Sequence, residues 1–137
     1  MRLAVVFALL ALAAPSRADV SAPNKIRWRS DAKAAADEAG KLKRPLLVFF
    51  SAEWCMPCKE MMLRSFADPG VADLVGKRFV PLLVDMTNDD DAAHAVGQRY
   101  HVSAMPTLLA IQGSTEKLRI DHFADAAELR AALERVR

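Results

Sequence analysis

An apolar run, Leu46-Leu47-Val48-Phe49-Phe50, follows Pro45 and continues through Ser51-Ala52-Glu53 into Trp54-Cys55-Met56-Pro57-Cys58. Five apolar residues are too few for a buried helix and suit a strand covered on both faces. The run is therefore read as a central strand, and the residues after it as a helix from about Cys55 to about Phe66. Two cysteines three positions apart at a strand-to-helix junction meet within one helical turn. The first of them sits at the helix end where free N–H groups and the dipole favour negative charge.

The remaining pattern alternates short apolar runs with helical stretches. Ile26 to Trp28 reads as a short first strand, and Ser30 as the N-cap of a helix through the alanines to about Lys41. Asp68-Pro69-Gly70 marks a break before a short helical turn ending near Gly76. Phe79 to Asp85 is the next strand, with Pro81 tolerated early in a strand or at a sheet edge. Asn88-Asp89-Asp90-Asp91 caps a helix reaching about Tyr100. Leu108 to Ile111, a Gly113-Ser114 turn and a run from about Lys117 to Phe123 form a hairpin. Asp125 with Glu128 opens a last helix whose Ala127, Leu129, Ala132 and Leu133 face the sheet. The expected architecture is α/β, a central mixed sheet flanked by helices on both faces.

The N-terminus carries a different signal. Arg2 precedes an unbroken apolar run from Leu3 to Ala14, followed by Ser16-Arg17-Ala18. The run falls short of the ~20 residues a membrane-spanning helix needs, so residues 1–18 read as a cleavable signal peptide and 19–137 as the folded domain. No cysteine lies near the junction, so a lipid-modified N-terminus is not expected. Of 19 basic and 17 acidic residues, the leader holds Arg2 and Arg17 and no acid, which leaves the rest near neutrality. Nucleic acid is accordingly not an expected partner.

Export places the chain where disulfides persist, yet it has 2 cysteines, close together, rather than several spread out as staples. Closing so short a loop is worth roughly 2 kcal/mol, against about 3 kcal/mol for a 15-residue loop, so a passive bridge is an inefficient staple. The pair reads better as a reactive site, with Cys55 the attacking thiolate and Cys58 the resolving thiol. A structural zinc site needs four ligands, and His94, His101 and His122 lie far along the chain. A two-thiolate copper(I) site, with Met56, Met61 and Met62 close in sequence, stays open as the alternative, although methionines at helical spacing are usually core filler. A disulfide-stabilised binding domain is a third reading.

Phe50-Ser51-Ala52-Glu53-Trp54-Cys55-Met56-Pro57-Cys58-Lys59-Glu60, then Phe66-Ala67-Asp68-Pro69, Val84-Asp85-Met86-Thr87-Asn88-Asp89 and Met105-Pro106-Thr107 together resemble thioredoxin-like proteins. Within that superfamily the chain resembles most the periplasmic C-terminal domain of the thiol:disulfide interchange protein DsbD. The resemblance implies a thioredoxin fold, an exposed nucleophile at Cys55 and a resolving Cys58. It also implies a substrate-binding rim at Trp54 and Met105, and a cis proline at Pro106 facing the disulfide. One position departs from the pattern. Where the relatives carry a buried aspartate on the central strand, six residues before the first cysteine, this chain has Phe49. Glu53 and Lys59 are the nearest ionisable substitutes for moving the proton of Cys58.

These readings converge on an exported thiol-disulfide oxidoreductase, a monomer located in the periplasm. It exchanges dithiol for disulfide with client proteins and uses no cofactor beyond the Cys55–Cys58 pair. Met56-Pro57 resembles the Gly-Pro dipeptide of reducing thioredoxins more than the Pro-His of strong oxidants, which favours protein-disulfide reduction. The electron donor would then be a membrane thiol carrier.

Overall fold

The computed structural model describes residues 25–88 and 90–137. The expected signal peptide, the lead-in before residue 25 and Asp89 lie outside the described residues. The order of elements is α1 (Ala32–Leu42), β1 (Leu46–Ser51), α2 (Met56–Glu60), a π-helical segment (Met61–Ser65), α3 (Pro69–Arg78), β2 (Val80–Asp85), α4 (Asp91–Arg99), β3 (Thr107–Gln112), β4 (Thr115–Ile120) and α5 (Ala126–Glu134).

The four strands lie in the order β2-β1-β3-β4. β1 runs parallel to β2 and antiparallel to β3, and β3 pairs antiparallel with β4, so the sheet is mixed and β1 is internal to it. Side chains of β1 alternate between two buried layers. Leu47 and Phe49 join Trp28, Cys55, Cys58, Met61, Phe66 and the inner residues of α3 and α5 on one face. Leu46, Val48 and Phe50 join Ala35 and Ala39 of α1, with Val96 of α4, on the other. Both faces of β1 are thus covered, which is why its run is apolar without interruption.

Several local expectations are corrected. The strand expected at Ile26 to Trp28 gives way to isolated bridge residues at Trp28 and Arg29, of which Arg29 pairs in parallel with Leu82 just before α1. Its cap is Asp31 rather than Ser30, with the carboxylate accepting the N–H of Ala34 at 2.9 Å. Arg29 also grips Glu38 of α1 through two hydrogen bonds, 2.6 and 3.0 Å, fastening the lead-in to the helix. The short turn expected after Pro69 is a full helix. Asp68 caps it through Gly70 and Val71, Pro69 occupies its first turn where no N–H is needed, and it passes Gly76 to end at Arg78. β4 begins at Thr115 and ends at Ile120, earlier at both ends than the sequence suggests, because Gly113 at φ 60° turns the chain back at once. Ala127 points to solvent, whereas Leu129, Ala132 and Leu133 are buried as expected. The break in regular helix at Met61–Ser65 has no sequence signal. There the Phe66 amide reaches back to the Met61 carbonyl at 2.8 Å, and the buried Ser65 hydroxyl donates to the Ala124 carbonyl at 2.6 Å.

The start of α5 carries a titratable group. Asp125 caps the helix through the Glu128 amide, but the Glu128 carboxylate does not reach back as in a full capping box; it meets Nε2 of His122 at 2.7 Å. That hydrogen bond raises the His122 pKa above its ordinary value against the opposing effect of desolvation, with the charge of Glu128 and the nearby Asp121 carboxylate acting in the same direction as the bond. A folded-state pKa above the unfolded one means that the contribution is fully present below the ordinary imidazole value and is lost as pH rises through the folded value. Tm measured across pH 5.5 to 8.5 should therefore fall slightly more steeply in wild type than in His122→Asn over that rise. Parallel curves would show that the pair adds nothing; the site is fully exposed, so added salt should flatten any difference.

Candidate active site

The site forms where β1 leaves the sheet. Ser51 closes the strand, residues 52 to 55 turn outward with the Cys55 amide donating to the Ala52 carbonyl at 3.1 Å, and α2 begins at Met56. Cys55 is the N-cap residue, in extended conformation, and its sulfur accepts the N–H of Cys58 at 3.3 Å. Pro57 lies in the first turn, where a missing N–H costs nothing. Cys55 and Cys58 are joined in a disulfide with Cα atoms 5.3 Å apart.

Cys58 is completely buried and Cys55 is 5% exposed. In the disulfide, Cys55, expected from the resemblance to be an exposed nucleophile, is a largely covered residue but is the more accessible of the two. Trp54 at 64% and Met56 at 65% exposure stand beside the disulfide in sequence and project into solvent. Met56 therefore departs from the expectation that the methionines fill the core, an expectation met by the buried Met61. Met105 is half-buried and Pro106 buried, and the peptide bond between them is cis. Pro106 leads directly into β3, the strand beside β1.

Phe49 is fully buried in a cluster of three aromatic rings. Its ring centroid lies 5.0 Å from Phe66 and 6.0 Å from Trp28, and Trp28 meets Phe66 edge-on at 5.0 Å. Position 49, where the resemblance leads one to expect a carboxylate, is here part of a buried apolar layer that also includes Cys58. Glu53 and Lys59 are both exposed.

The ties of the Cys55 loop to β2 had no counterpart in the sequence reading. The Glu53 amide donates to Oγ1 of Thr87 at 2.8 Å, and the Met86 amide donates to the Ser51 carbonyl at 2.8 Å. Thr87 belongs to a motif the sequence singles out, but nothing in spacing shows that it reaches a residue 34 positions away. Among the described residues no group of three or more His, Cys, Asp or Glu side chains comes together, and no helix is long and apolar enough to cross a membrane.

Comparison with known proteins gives a consistent picture. The model of a family described as thioredoxin-like matches residues 27–112. The chain is 32% identical over 101 residues to the thiol:disulfide interchange protein DsbD of Vibrio vulnificus, an alignment covering 72% of this chain and 17% of that protein. It is 33% identical over 104 residues to DsbD of Salmonella typhi, covering 74% and 18%. The chain thus spans less than a fifth of the length of these relatives. Among solved structures, a thioredoxin from Thermus thermophilus superposes with TM-score 0.71 at 28% identity, covering 81% of this chain and 86% of that one. The oxidised C-terminal domain of DsbD from Neisseria meningitidis superposes with TM-score 0.69 at 26% identity, covering 80% and 99%.

Proposed function

The chain belongs to the thioredoxin-like family, and from that premise we propose that it is a thiol-disulfide oxidoreductase that reduces disulfides in periplasmic client proteins. The observation that carries the reading is the Cys55–Cys58 disulfide at the first turn of the helix that follows the internal strand β1. Likeness to DsbD across most of the folded part, and to the whole of its C-terminal domain, supports the same activity.

In the reduced protein the Cys55 thiolate attacks one sulfur of a client disulfide. A bond forms between Cys55 Sγ and that sulfur, the client bond breaks, and the second client sulfur leaves as a thiolate that takes up a proton. Cys58 then loses its proton and attacks Cys55 Sγ. The Cys55–Cys58 bond forms, and the first client sulfur leaves as a thiol. The client gains two electrons and two protons, and the protein is left as the disulfide seen here. In this reading Trp54, Met105 and Pro106, the last immediately before β3, receive the client segment. A dithiol donor must restore the reduced pair, and a membrane thiol carrier fits that role. The apolar run from Leu3 to Ala14 supports export through a signal peptide at residues 1–18.

With dithiothreitol as donor, the wild-type protein should reduce insulin disulfides, and Cys55→Ser should abolish that turnover. Cys58→Ser should retain the first step and accumulate mixed disulfides with clients, which non-reducing gels would show. Tight copper(I) binding by the wild type without insulin reduction would replace this reading with metal delivery.

A further inference from the structure

The Cys55–Cys58 bond holds Cys55 beside Cys58 only while it exists; once the pair is reduced, other ties must keep the sulfur in place. Chain connectivity puts Cys55 at the end of a loop, residues 52 to 55, whose Cys55 amide closes a turn on Ala52. What fixes this loop to the sheet comes from the end of β2. Ser51 and Asp85 are partners in the β1–β2 register, and the Met86 amide bonds the Ser51 carbonyl. One carboxylate oxygen of Asp85 accepts both the amide of Thr87, at 2.9 Å, and its hydroxyl. With its proton committed to Asp85, the Thr87 hydroxyl oxygen is oriented to accept, and it takes the N–H of Glu53 at 2.8 Å. The result is a chain of polar contacts from the Asp85 carboxylate through Thr87 to the backbone two residues before Cys55.

We propose that Asp85 and Thr87 are positioning residues that hold the Cys55 loop in register in the reduced protein, so that the Cys55 sulfur keeps its hydrogen bond from the Cys58 amide. Their hydrogen bonds run to each other and to the Glu53 amide, and the sulfur takes its own from the Cys58 amide. Their effect on the thiolate is through geometry: the hydrogen bond from Cys58, 3.3 Å long here, weakens steeply as the sulfur moves away or out of line. Losing a hydrogen bond to the charged form raises a thiol pKa. A hydroxyl that both donates and accepts is required at position 87, which serine supplies and valine does not. At position 85 asparagine keeps an acceptor oxygen and removes the charge, which separates hydrogen bonding from electrostatics.

The inference rests on Cys55 being the thiolate that attacks, and one experiment tests both. The rate of iodoacetamide alkylation of Cys55 is followed against pH in freshly reduced wild type, Thr87→Val, Thr87→Ser and Asp85→Asn, with labelled peptides resolved by mass spectrometry. The charged side chains of the loop and first turn, Glu53, Lys59 and Glu60, are exposed and the same in every variant. Wild type should titrate below the ordinary thiol value of about 8.5. Thr87→Val should move the midpoint up by about half a unit to one unit, slowing alkylation below the midpoint ~3- to 10-fold. Thr87→Ser and Asp85→Asn should stay close to wild type. A wild-type midpoint at the ordinary thiol value defeats the thiolate assignment itself. A lowered wild-type midpoint that Thr87→Val leaves unmoved defeats the positioning role alone. Should Thr87→Val fail to fold, amide exchange in the reduced wild type decides: the Glu53 N–H should exchange at least ~10-fold more slowly than in an unstructured peptide, since it is hydrogen-bonded. An unprotected Glu53 amide overturns the proposal.

Discussion

In the reduced protein, Cys55 should alkylate at least ~10-fold faster than Cys58 at pH 7. Both residues are cysteines on one helical turn, so the difference must come from their surroundings. Cys55 precedes the helix, with its sulfur accepting the Cys58 amide, and is the more accessible of the two. In the disulfide this sulfur stands where the thiolate of the reduced protein would take the same N–H, an interaction that favours the charged form. Cys58 has no exposure at all and lies in the layer of Phe49, Met61 and Phe66, where burial disfavours a thiolate and raises the pKa. Brief labelling with iodoacetamide followed by peptide mapping gives the ratio directly. Equal labelling, or preference for Cys58, would reverse the order of attack and resolution proposed above.

How much of this was legible in the sequence depends on the range of the interaction concerned. β1 could be read because both of its faces are buried, so all of Leu46 to Phe50 is apolar. The CxxC turn could be read because its chemistry and its spacing are both local. The α1 cap was missed by one residue: Ser30 and Asp31 are adjacent and both suitable caps, and spacing alone does not choose between them. The full length of α3 was hidden by Gly76, which reads as a stop but is an exposed helical residue with open space around it. The bond from Glu53 to Thr87 was not legible at all. It depends on the register of β1 against β2, which brings Ser51 opposite Asp85, and register is a property of two distant segments together. The aromatic surroundings of Phe49 are of the same kind, since Trp28 and Phe66 come from the lead-in and from the end of the π-helical segment.

Those surroundings give Phe49→Asp two opposed effects, each large. The first is on stability. Removing a buried aromatic ring costs roughly 3–5 kcal/mol through lost contacts and the cavity left behind, and an aspartate there adds the penalty of a carboxyl group without an evident partner. Against a total of about 5–15 kcal/mol for a domain, that is a large share of what holds it folded. Thermal unfolding should show a marked drop in Tm. The second effect is kinetic. In that buried apolar layer a carboxyl would have its pKa pushed up toward neutrality, where it can both accept and return a proton, and Cys58 must lose its proton to resolve the mixed disulfide. Phe49 offers no such route. In folded Phe49→Asp, release of the mixed disulfide near neutral pH should therefore be faster than in wild type, while the first attack by Cys55 changes less. Phe49→Leu is the control, because it perturbs the packing without adding a carboxyl group and should not accelerate the second step. Stopped-flow measurement of the two steps, at a temperature where circular dichroism shows the variants folded, separates packing from proton transfer. A second step that is unchanged or slower in folded Phe49→Asp, or equally fast in Phe49→Leu, would mean that Cys58 already has another proton path, through Glu53 or an ordered water, and that the ring at position 49 is there for packing alone.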